Sequence, residues 1–407
     1  MALNALTRPW LLCSLLLLPL WAQKGEERLL SSLKEKSLQL QSVKNAADST
    51  QLALSWISPV SLGYVDSRNN QYDTTQRRRE LTVTVDQPIF KSGGIWEAIQ
   101  YAKASRKVGE LGIEQQRRAL IKEVIATLFN FRKNRLQIQK QKLLIANDRI
   151  DILRKKEQYL SGDLDSGFLD QAILQKNRDS LTLYTLQDTS AQLEKSFKDL
   201  SDADPSSVKL PHFTLMPKAR FLKHHIDLAL QKERISQASR YAAMTLSRYL
   251  PTLSVQASYI KPYENNYLFS GGSLPEGGDD YYTYGFRISM PLDVTAPFTV
   301  ESARAQALAE RNALLDKRRE ADNAYEAAMR RIEAIDRMIA LAREDAKLYA
   351  SLLKSTREQV EAGEKTDYDL QTMANSLKIR RLDQEIYEIQ KQLVLLELYA
   401  KSYEDRK

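Results

Sequence analysis

Residues 281–290 read Tyr-Tyr-Thr-Tyr-Gly-Phe-Arg-Ile-Ser-Met, and the alternation in this segment sets the fold class. Apolar side chains occupy every second position, at Tyr282, Tyr284, Phe286, Ile288 and Met290. Because alternate residues of a β-strand point to opposite faces, the pattern predicts a strand with one apolar face. About ten such residues are enough for a tilted strand to cross a bilayer, with lipid on one side and water on the other.

Three further segments alternate in the same way and predict three more strands. Their apolar positions are Val60, Leu62 and Tyr64, then Leu81, Val83 and Val85, then Leu253, Val255, Ala257 and Tyr259. Seven of the 19 tyrosines fall within the 36 residues from Tyr249 to Tyr284, as in the aromatic belt of a membrane protein. A half-buried strand of a soluble protein alternates in the same way, so both environments stay open here. The connections Asp66–Glu80 and Lys261–Asp280 are polar and are predicted as loops.

Four strands are too few to close a barrel, which needs about eight. An open sheet edge in lipid leaves backbone amides unpaired. After Ala22, no stretch of about 18 apolar residues predicts a spanning helix. If the strands enter a membrane, several copies of the chain must therefore share one barrel. The predicted fold class combines a long antiparallel coiled coil with four β-strands per chain contributed to a shared β-barrel.

The order of the segments is repeated along the chain, with offsets of 192, 203 and 201 residues between matching positions. Each copy is expected to run helix, strand, polar loop, strand, very long helix, glycine turn and long helix. The predicted organisation is a first repeat over 23–200 with strands near 57–66 and 80–90, a linker or equatorial region over 201–222, a second repeat over 223–403 with strands near 252–261 and 281–290, and a tail over 404–407.

Four prolines mark equivalent boundaries in the two copies. Pro59 and Pro251 are predicted at the passages from helix to strand, and Pro88 and Pro291 at the passages from strand to helix. Proline has no backbone N–H and a fixed φ angle, so it ends a hydrogen-bonded ladder and can open a helix.

The remaining length is explained by helices with apolar seams. One seam has spacings of 4 and 3, a 3.5-residue period typical of coiled coils; it comprises Ala321, Tyr325, Ala328, Ile332, Ile335, Ile339, Ala342, Ala346, Tyr349 and Leu353. The last helix repeats it with Ile379, Leu382, Ile386, Ile389, Leu393, Leu396, Ala400 and Tyr403, and the first copy has a shorter version in Leu183, Leu186, Ser190, Leu193, Phe197 and Leu200. The proline-free helix near 95–160 can reach about 100 Å at 1.5 Å per residue, and its twin near 299–362 is similar. A generic antiparallel coiled coil has the same seams.

The N-terminus and the composition exclude several classes of protein. Residues 1–22 have the short apolar core of a secretory signal peptide. The only cysteine, Cys13, lies within that segment, so a disulfide framework is excluded. Basic and acidic residues interleave at a net charge of +8, which makes nucleic acid a poor candidate partner. The adjacent His224 and His225 lack metal-ligand spacing, no catalytic triad spacing is present, and no enzyme activity and no cofactor are predicted.

The ordered set of motifs resembles the outer-membrane efflux protein family, of which TolC is the best-known member. The resemblance covers roughly residues 23–403 and rests on Ser58-Pro59-Val60-Ser61-Leu62, Gln87-Pro88-Ile89-Phe90-Lys91-Ser92-Gly93-Gly94, Tyr249-Leu250-Pro251-Thr252-Leu253 and Gly363-Glu364-Lys365-Thr366-Asp367-Tyr368-Asp369-Leu370. It implies a homotrimer in which each chain gives four strands to a twelve-stranded barrel in outer-membrane lipid. It also implies that the long antiparallel coiled-coil helices form an α-barrel, which is a periplasmic tunnel. It also implies docking with a periplasmic adaptor and an inner-membrane pump.

The expected working residues lie at the two glycine turns, one full helix away from the strands. The resemblance implies an aspartate ring at a periplasmic gate, to which Asp369 corresponds; Asp367 and Lys365 are its predicted neighbours. Acidic residues near the start of a helix also complement its dipole, and that alternative stays open. Adaptor docking is expected at Gly162, Ala172, Ala362 and Gly363, where plain turn chemistry is the alternative.

The sequence thus predicts a passive outer-membrane exit channel of a tripartite efflux pump or a type I secretion system. The alternative is a soluble periplasmic coiled-coil adaptor or scaffold without membrane strands.

Overall fold

The computed structural model describes residues 29–70, 76–265, 268–269, 272–273 and 279–403. The predicted signal peptide over 1–22 and the predicted tail over 404–407 lie outside the described residues. In the described part of the chain, no helix has both the length and the apolar character needed to cross a membrane.

Long helices alternate with strands in the order predicted for the two copies. The elements are α1 (Ser32–Leu54), β1 (Ser61–Asn69), β2 (Gln76–Phe90), α2 (Gly94–Leu160), α3 (Ser166–Leu200), α4 (Lys218–Lys223), α5 (Ile226–Ser247), β3 (Thr252–Asn265), β4 (Leu268–Phe269), β5 (Gly272–Ser273), β6 (Tyr281–Ser289), α6 (Ala296–Glu361) and α7 (Asp367–Lys401). Matching helices have nearly equal lengths: 23 and 22 residues for α1 and α5, 67 and 66 for α2 and α6, and 35 for both α3 and α7.

The chain divides into two compact units. The first contains Glu123–Pro211 together with the segment up to Glu35, and it includes most of the α2–α3 hairpin. The second contains Lys36–Lys122 and the chain from His212 onwards, and it includes the main sheet and the α6–α7 hairpin.

The main sheet of the second unit has four antiparallel strands in the order β1-β2-β3-β6. The register aligns Leu62 with Val83, Val83 with Tyr259, and Tyr259 with Tyr282. Directly opposed residues of an antiparallel pair share a face, so the alternating apolar positions of all four strands lie on one side of the sheet. The four-stranded sheet predicted from the alternation is confirmed.

The predicted loop over Asp66–Glu80 is wrong for most of its length. The β1–β2 ladder continues to the pair Asn69–Gln76, and the arginines 77–79 lie in a strand. Charged side chains of opposite sign meet across the strands here: Arg77 lies 2.9 Å from Asp66 on β1 and 3.3 Å from Glu264 on β3. Such cross-strand pairs offset the low strand propensity of charged residues.

The predicted boundary prolines lie at or near the ends of the strands. Pro59 and Pro251 come just before β1 and β3, and Pro291 comes just after β6. Pro88 lies inside β2, where the register with β3 shifts between Pro88 and Phe90. Since proline cannot donate to the ladder, this irregularity is the expected response of the sheet.

The turn from β2 into α2 depends on its two glycines. Gly93 has a φ of 85°, which favours glycine, and the preceding Ser92 has a φ of 47°. The Ser92 hydroxyl donates to the carbonyl oxygen of Pro251 at 2.8 Å. At Gly94, an added Cβ atom would lie 2.2 Å from Oγ of the buried Ser247 on α5, so only glycine lets the two helices approach this closely.

The core of the second unit lies between α6 and α7 and includes the α4 residue Phe221. The first seven seam residues predicted in α6, from Ala321 to Ala342, are all buried. In α7 the buried face is wider than the predicted seam, because Val394, Leu395 and Leu398 are also buried in this core. The wider face follows from packing against the 212–217 segment, whose Phe213 N–H donates to Oε1 of Gln392 at 2.7 Å.

We expect Gly94→Ala to lower the thermal unfolding temperature, because the new methyl group would push the start of α2 away from Ser247. An overpacked site of this kind costs about 1–3 kcal/mol. The matched control is Gly112→Ala, eighteen residues further along α2, where an added Cβ would meet nothing within 4 Å. This control should raise the unfolding temperature slightly, because alanine is the better helix former. Circular dichroism at 222 nm measures both, and equal shifts for the two variants would contradict the close approach at Gly94.

Candidate functional site

The α6–α7 hairpin turns at Gly363, one of the two predicted tip glycines. Gly363 has a φ of 80°, and its N–H donates to the carbonyl oxygen of Val360 at 3.0 Å. The next N–H group, of Glu364, donates to the carbonyl oxygen of Gln359 at 2.8 Å. A left-handed glycine followed by such bonds is the usual way to satisfy the last carbonyl groups of a helix.

Asp369, the predicted gate residue, caps the helix in which it lies. Its Oδ2 atom accepts hydrogen bonds from the N–H of Thr366 at 3.0 Å and from the Thr366 hydroxyl at 2.7 Å. The Asp369 N–H donates to the Thr366 hydroxyl in return, at 3.4 Å, which completes a capping box. The predicted neighbours Asp367 and Lys365 are exposed in this turn.

The α2–α3 hairpin of the first unit has the same turn geometry at Gly162. Gly162 has a φ of 79°, and the following Asp163 N–H donates to the carbonyl oxygen of Gln158 at 2.8 Å. The cap differs: Asp165 accepts from the N–H of Gly167 at 3.1 Å, and no reciprocal bond forms a box. Both glycines are thus required by their turns, in agreement with the alternative of plain turn chemistry.

One of the four predicted docking residues is not accessible. Gly162, Ala362 and Gly363 are exposed, whereas Ala172 is 4% exposed. Ala172 lies one and a half turns into α3, on the inward face of the helix, so its side chain is unavailable to a docking partner. The sequence showed a small residue near a turn but not the direction in which it points.

The main sheet presents its apolar face to the surface. Tyr282, Tyr284, Phe286 and Ile288 on β6 are between 73% and 77% exposed. Val60 and Leu62 at the opposite end of the sheet are 66% and 72% exposed. A contiguous apolar patch of this kind on one chain marks a surface that is covered by lipid or by another protein.

Comparison with solved structures identifies the fold. The outer-membrane protein VceC from Vibrio cholerae matches with a TM-score of 0.72 at 15% sequence identity, covering 93% of this chain and 95% of VceC. The transmembrane channel CusC matches with a TM-score of 0.71 at 14% identity, covering 93% and 91% of the two chains. The CmeC outer-membrane channel of Campylobacter jejuni matches with a TM-score of 0.70 at 14% identity, covering 94% and 86%.

The chain has the fold of a TolC-like outer-membrane efflux channel. The resemblance predicted from the sequence is confirmed at the level of the fold. No family model and no curated protein matches the chain, in keeping with the low identity to the channel structures.

The α2–α3 hairpin of this chain contains a polar ladder that the sequence analysis does not predict. Three polar residues of α2 follow one another at intervals of seven and face α3. Asn134 donates to the carbonyl oxygen of Leu186 at 2.9 Å, and Gln141 donates to the carbonyl oxygen of Asp179 at 3.0 Å and to its Oδ1 atom at 2.7 Å. The third residue, Asp148, faces the Asp179 carboxyl group. The spacing of seven residues is the one signal in the sequence that indicates this ladder. The predicted seams do not include it, because they are defined by apolar residues.

The third step of the ladder is a pair of carboxyl groups. Oδ2 of Asp148 is buried and has no hydrogen-bond donor in the described part of the chain. Burial, first of all, and then the facing Asp179 and the nearby Asp151 together raise the pKa of Asp148 to about 6. Two carboxyl groups that face each other need one shared proton, since two carboxylates repel.

We expect the α2–α3 contact at Asp148 to weaken as the pH rises. The folded state binds the Asp148 proton more tightly than the unfolded state, whose aspartate pKa is near 3.9. The stabilisation is therefore complete below about pH 4 and is lost as the pH rises through about 6. Asp148→Asn supplies a permanent donor, and it should stabilise the hairpin at pH 7.5 by about 1 kcal/mol. Amide hydrogen exchange over residues 141–151 measures the effect.

The matched control is Asp188→Asn, an exposed aspartate of α3, which should leave the exchange rates unchanged. Wild-type protection that is equal at pH 4.5 and pH 7.5, after correction for intrinsic exchange, would contradict the shared proton.

Proposed function

We propose that this protein is the outer-membrane exit channel of a tripartite efflux pump or of a type I secretion system. It would act as a passive conduit across the periplasm and the outer membrane, without catalysis. The observation that carries the proposal is the exposed apolar face of a four-stranded sheet within the fold of an outer-membrane channel. That face has the alternation and the aromatic content that a lipid-facing strand requires.

The strand count supports a homotrimer. A closed barrel needs about eight strands or more, and one chain supplies four to its main sheet. Two or more copies must therefore contribute, and the family resemblance implies three copies and twelve strands. Under this proposal the edge strands β1 and β6 pair with the edges of neighbouring copies, which removes all open edges from the lipid. The paired helices would enclose the periplasmic tunnel.

The alternative of a soluble periplasmic scaffold is less well supported. It would leave Tyr282, Tyr284, Phe286 and Ile288 in water on one contiguous surface, and each of them is at least 73% exposed. Soluble monomers rarely expose apolar patches of this extent. The same side chains facing lipid contribute favourably to folding.

The proposed partners are a periplasmic adaptor and an inner-membrane pump. We assign the docking tips to the exposed residues Gly162, Ala362 and Gly363. The proposed periplasmic gate is a ring of Asp369 side chains, with Asp367 and Lys365 beside it. Three carboxylates close to a threefold axis would repel one another and would favour cations.

An arginine on the apolar face tests the membrane assignment. We expect Phe286→Arg to prevent assembly in the outer membrane, because a lipid-facing arginine costs about 2–4 kcal/mol near the bilayer midplane. The matched control is Thr283→Arg, which adds the same charge on the opposite face of β6 and should be tolerated. Membrane fractionation and heat-modifiable gel mobility distinguish trimer from monomer. Recovery of the wild-type chain as a soluble periplasmic monomer would refute the channel proposal.

A charge-neutral substitution tests the gate. Asp369→Asn removes the carboxylate charge but keeps an oxygen that can accept the two bonds from Thr366, so the cap should survive. We expect a clear loss of cation preference in planar bilayers, because the ring would no longer carry charge. Asp163→Asn, in the turn of the α2–α3 hairpin, is the control and should behave as wild type. An unchanged ion selectivity for Asp369→Asn would eliminate Asp369 from the gate.

A further inference from the structure

A cavity of about 440 Å³ lies in the second unit, beside the first turn of α5. Its apolar wall consists of Phe221, Ala321, Ala324, Ala328 and Leu398. Small-molecule sites usually measure about 300–1,000 Å³ and combine an apolar lining with a few polar groups. This cavity has both properties, and no part of the proposed conduit function uses it.

The most deeply buried polar group of the cavity is the imidazole of His225. The residue is 5% exposed, and its Nδ1 atom has no hydrogen-bond partner among the described residues. Its ring meets the edge of Phe221 with the centroids 5.0 Å apart, which fixes the ring orientation. His225 is also the N-cap residue of the 22-residue helix α5, yet its side chain makes no capping bond. Buried polar atoms are normally hydrogen-bonded, so this nitrogen has an unused capacity for a hydrogen bond although it has almost no accessible surface.

The charges around the imidazole are unevenly buried. Lys122 and Lys317 are half-buried, and neither forms an ion pair among the described residues. The acidic Asp227 is neutralised locally, because its Oδ2 atom lies 2.8 Å from Nζ of the exposed Lys401.

The other two carboxylates of the cavity do not cancel these cations. Glu320 and Glu397 are exposed, so water and salt screen their charges. The least screened unpaired charges are therefore the positive ones, and the start of α5 adds the positive end of a helix dipole.

We propose that this cavity binds a small organic monocarboxylate. The carboxylate group would accept a hydrogen bond from Nζ of Lys317 and would lie beside the imidazole of His225, with Lys122 adding to the positive potential. The hydrocarbon part would contact the alanine wall of α6. The inference is independent of the proposed conduit function, since it concerns a cavity within a single chain.

The proposal has a consequence for pH dependence. Burial lowers the pKa of His225; Asp227 raises it, while Lys401 and Lys317 lower it. The free imidazole is therefore neutral at pH 7, and a bound carboxylate would favour its protonated form. Because binding and protonation support each other, the affinity for the monocarboxylate rises as the pH falls from 8 to 6.

The probe is 4-fluorobenzoate, titrated against the purified full-length protein in a nonionic detergent and followed by ¹⁹F NMR line broadening. We expect saturable binding that is weakened at least about tenfold by Lys317→Gln, because a charge-assisted hydrogen bond is lost. The matched control is Lys347→Gln, an exposed lysine of the same helix, which should bind as wild type. His225→Gln should weaken binding and abolish the rise in affinity at low pH.

One neutral analogue and one cationic analogue complete the test. Neither 4-fluorobenzyl alcohol nor 4-fluorobenzylammonium should show saturable binding at the concentrations that saturate with the benzoate. The proposal is overturned if the benzoate does not saturate, if Lys317→Gln binds it as tightly as wild type, or if the ammonium analogue binds equally well. If 4-fluorobenzoate does not bind while the purified protein still conducts ions, the carboxylate site is refuted and the channel proposal is unaffected.

Discussion

The edge of the main sheet is the constraint on which the rest of this molecule depends. Among the described residues, β1 and β6 are each paired on one side only, and the face they share with β2 and β3 is apolar and exposed. In lipid, every unpaired backbone group costs several kcal/mol. The apolar face can meet lipid while both edges are hydrogen-bonded only if other copies of the chain supply the missing strands. Hydrogen bonding in lipid therefore requires more than one copy of the chain, whereas the proposed number of three rests on the resemblance alone.

The strands could be predicted because their pattern is local, whereas the extension of the first hairpin into the polar segment could not. Alternation at Leu62, Val83 and Tyr259 requires only that each strand has one apolar face, and the register then aligns these residues. The extension of the hairpin beyond Asp66 depends on Arg77 meeting acids on two neighbouring strands. A contact between distant parts of the chain leaves no periodic signal, so the sequence predicts a loop for this polar segment.

The same distinction applies to the helices. The apolar seam of α6 was visible in the sequence because its residues bury themselves against α7 at a constant spacing. The α2–α3 hairpin buries apolar residues as well. Its contacts also include Asn134, Gln141 and Asp148, which bond to backbone and side-chain groups of α3 or face them. A buried polar residue is distinguished from an exposed one by its partner, and the partner is known only from the fold. The burial of Ala172 could not be predicted for the same reason, since a small side chain of a helix can face either way.

The capping box at Asp369 stabilises the start of α7 and bears on the proposed gate at the same residue. Both bonds from Thr366 fall on Oδ2, so the capping box holds the carboxylate in a fixed orientation at the start of α7. A gate needs charges whose positions are set by a rigid element, because mobile side chains of like charge would repel one another and move apart. The cap supplies that rigidity, and it uses only one of the two carboxylate oxygens, Oδ2. Capping of the helix start was the alternative to a gate at Asp369, but the same cap would also orient the charges of a gate. The two roles are separated only by a substitution that removes the charge and keeps the cap.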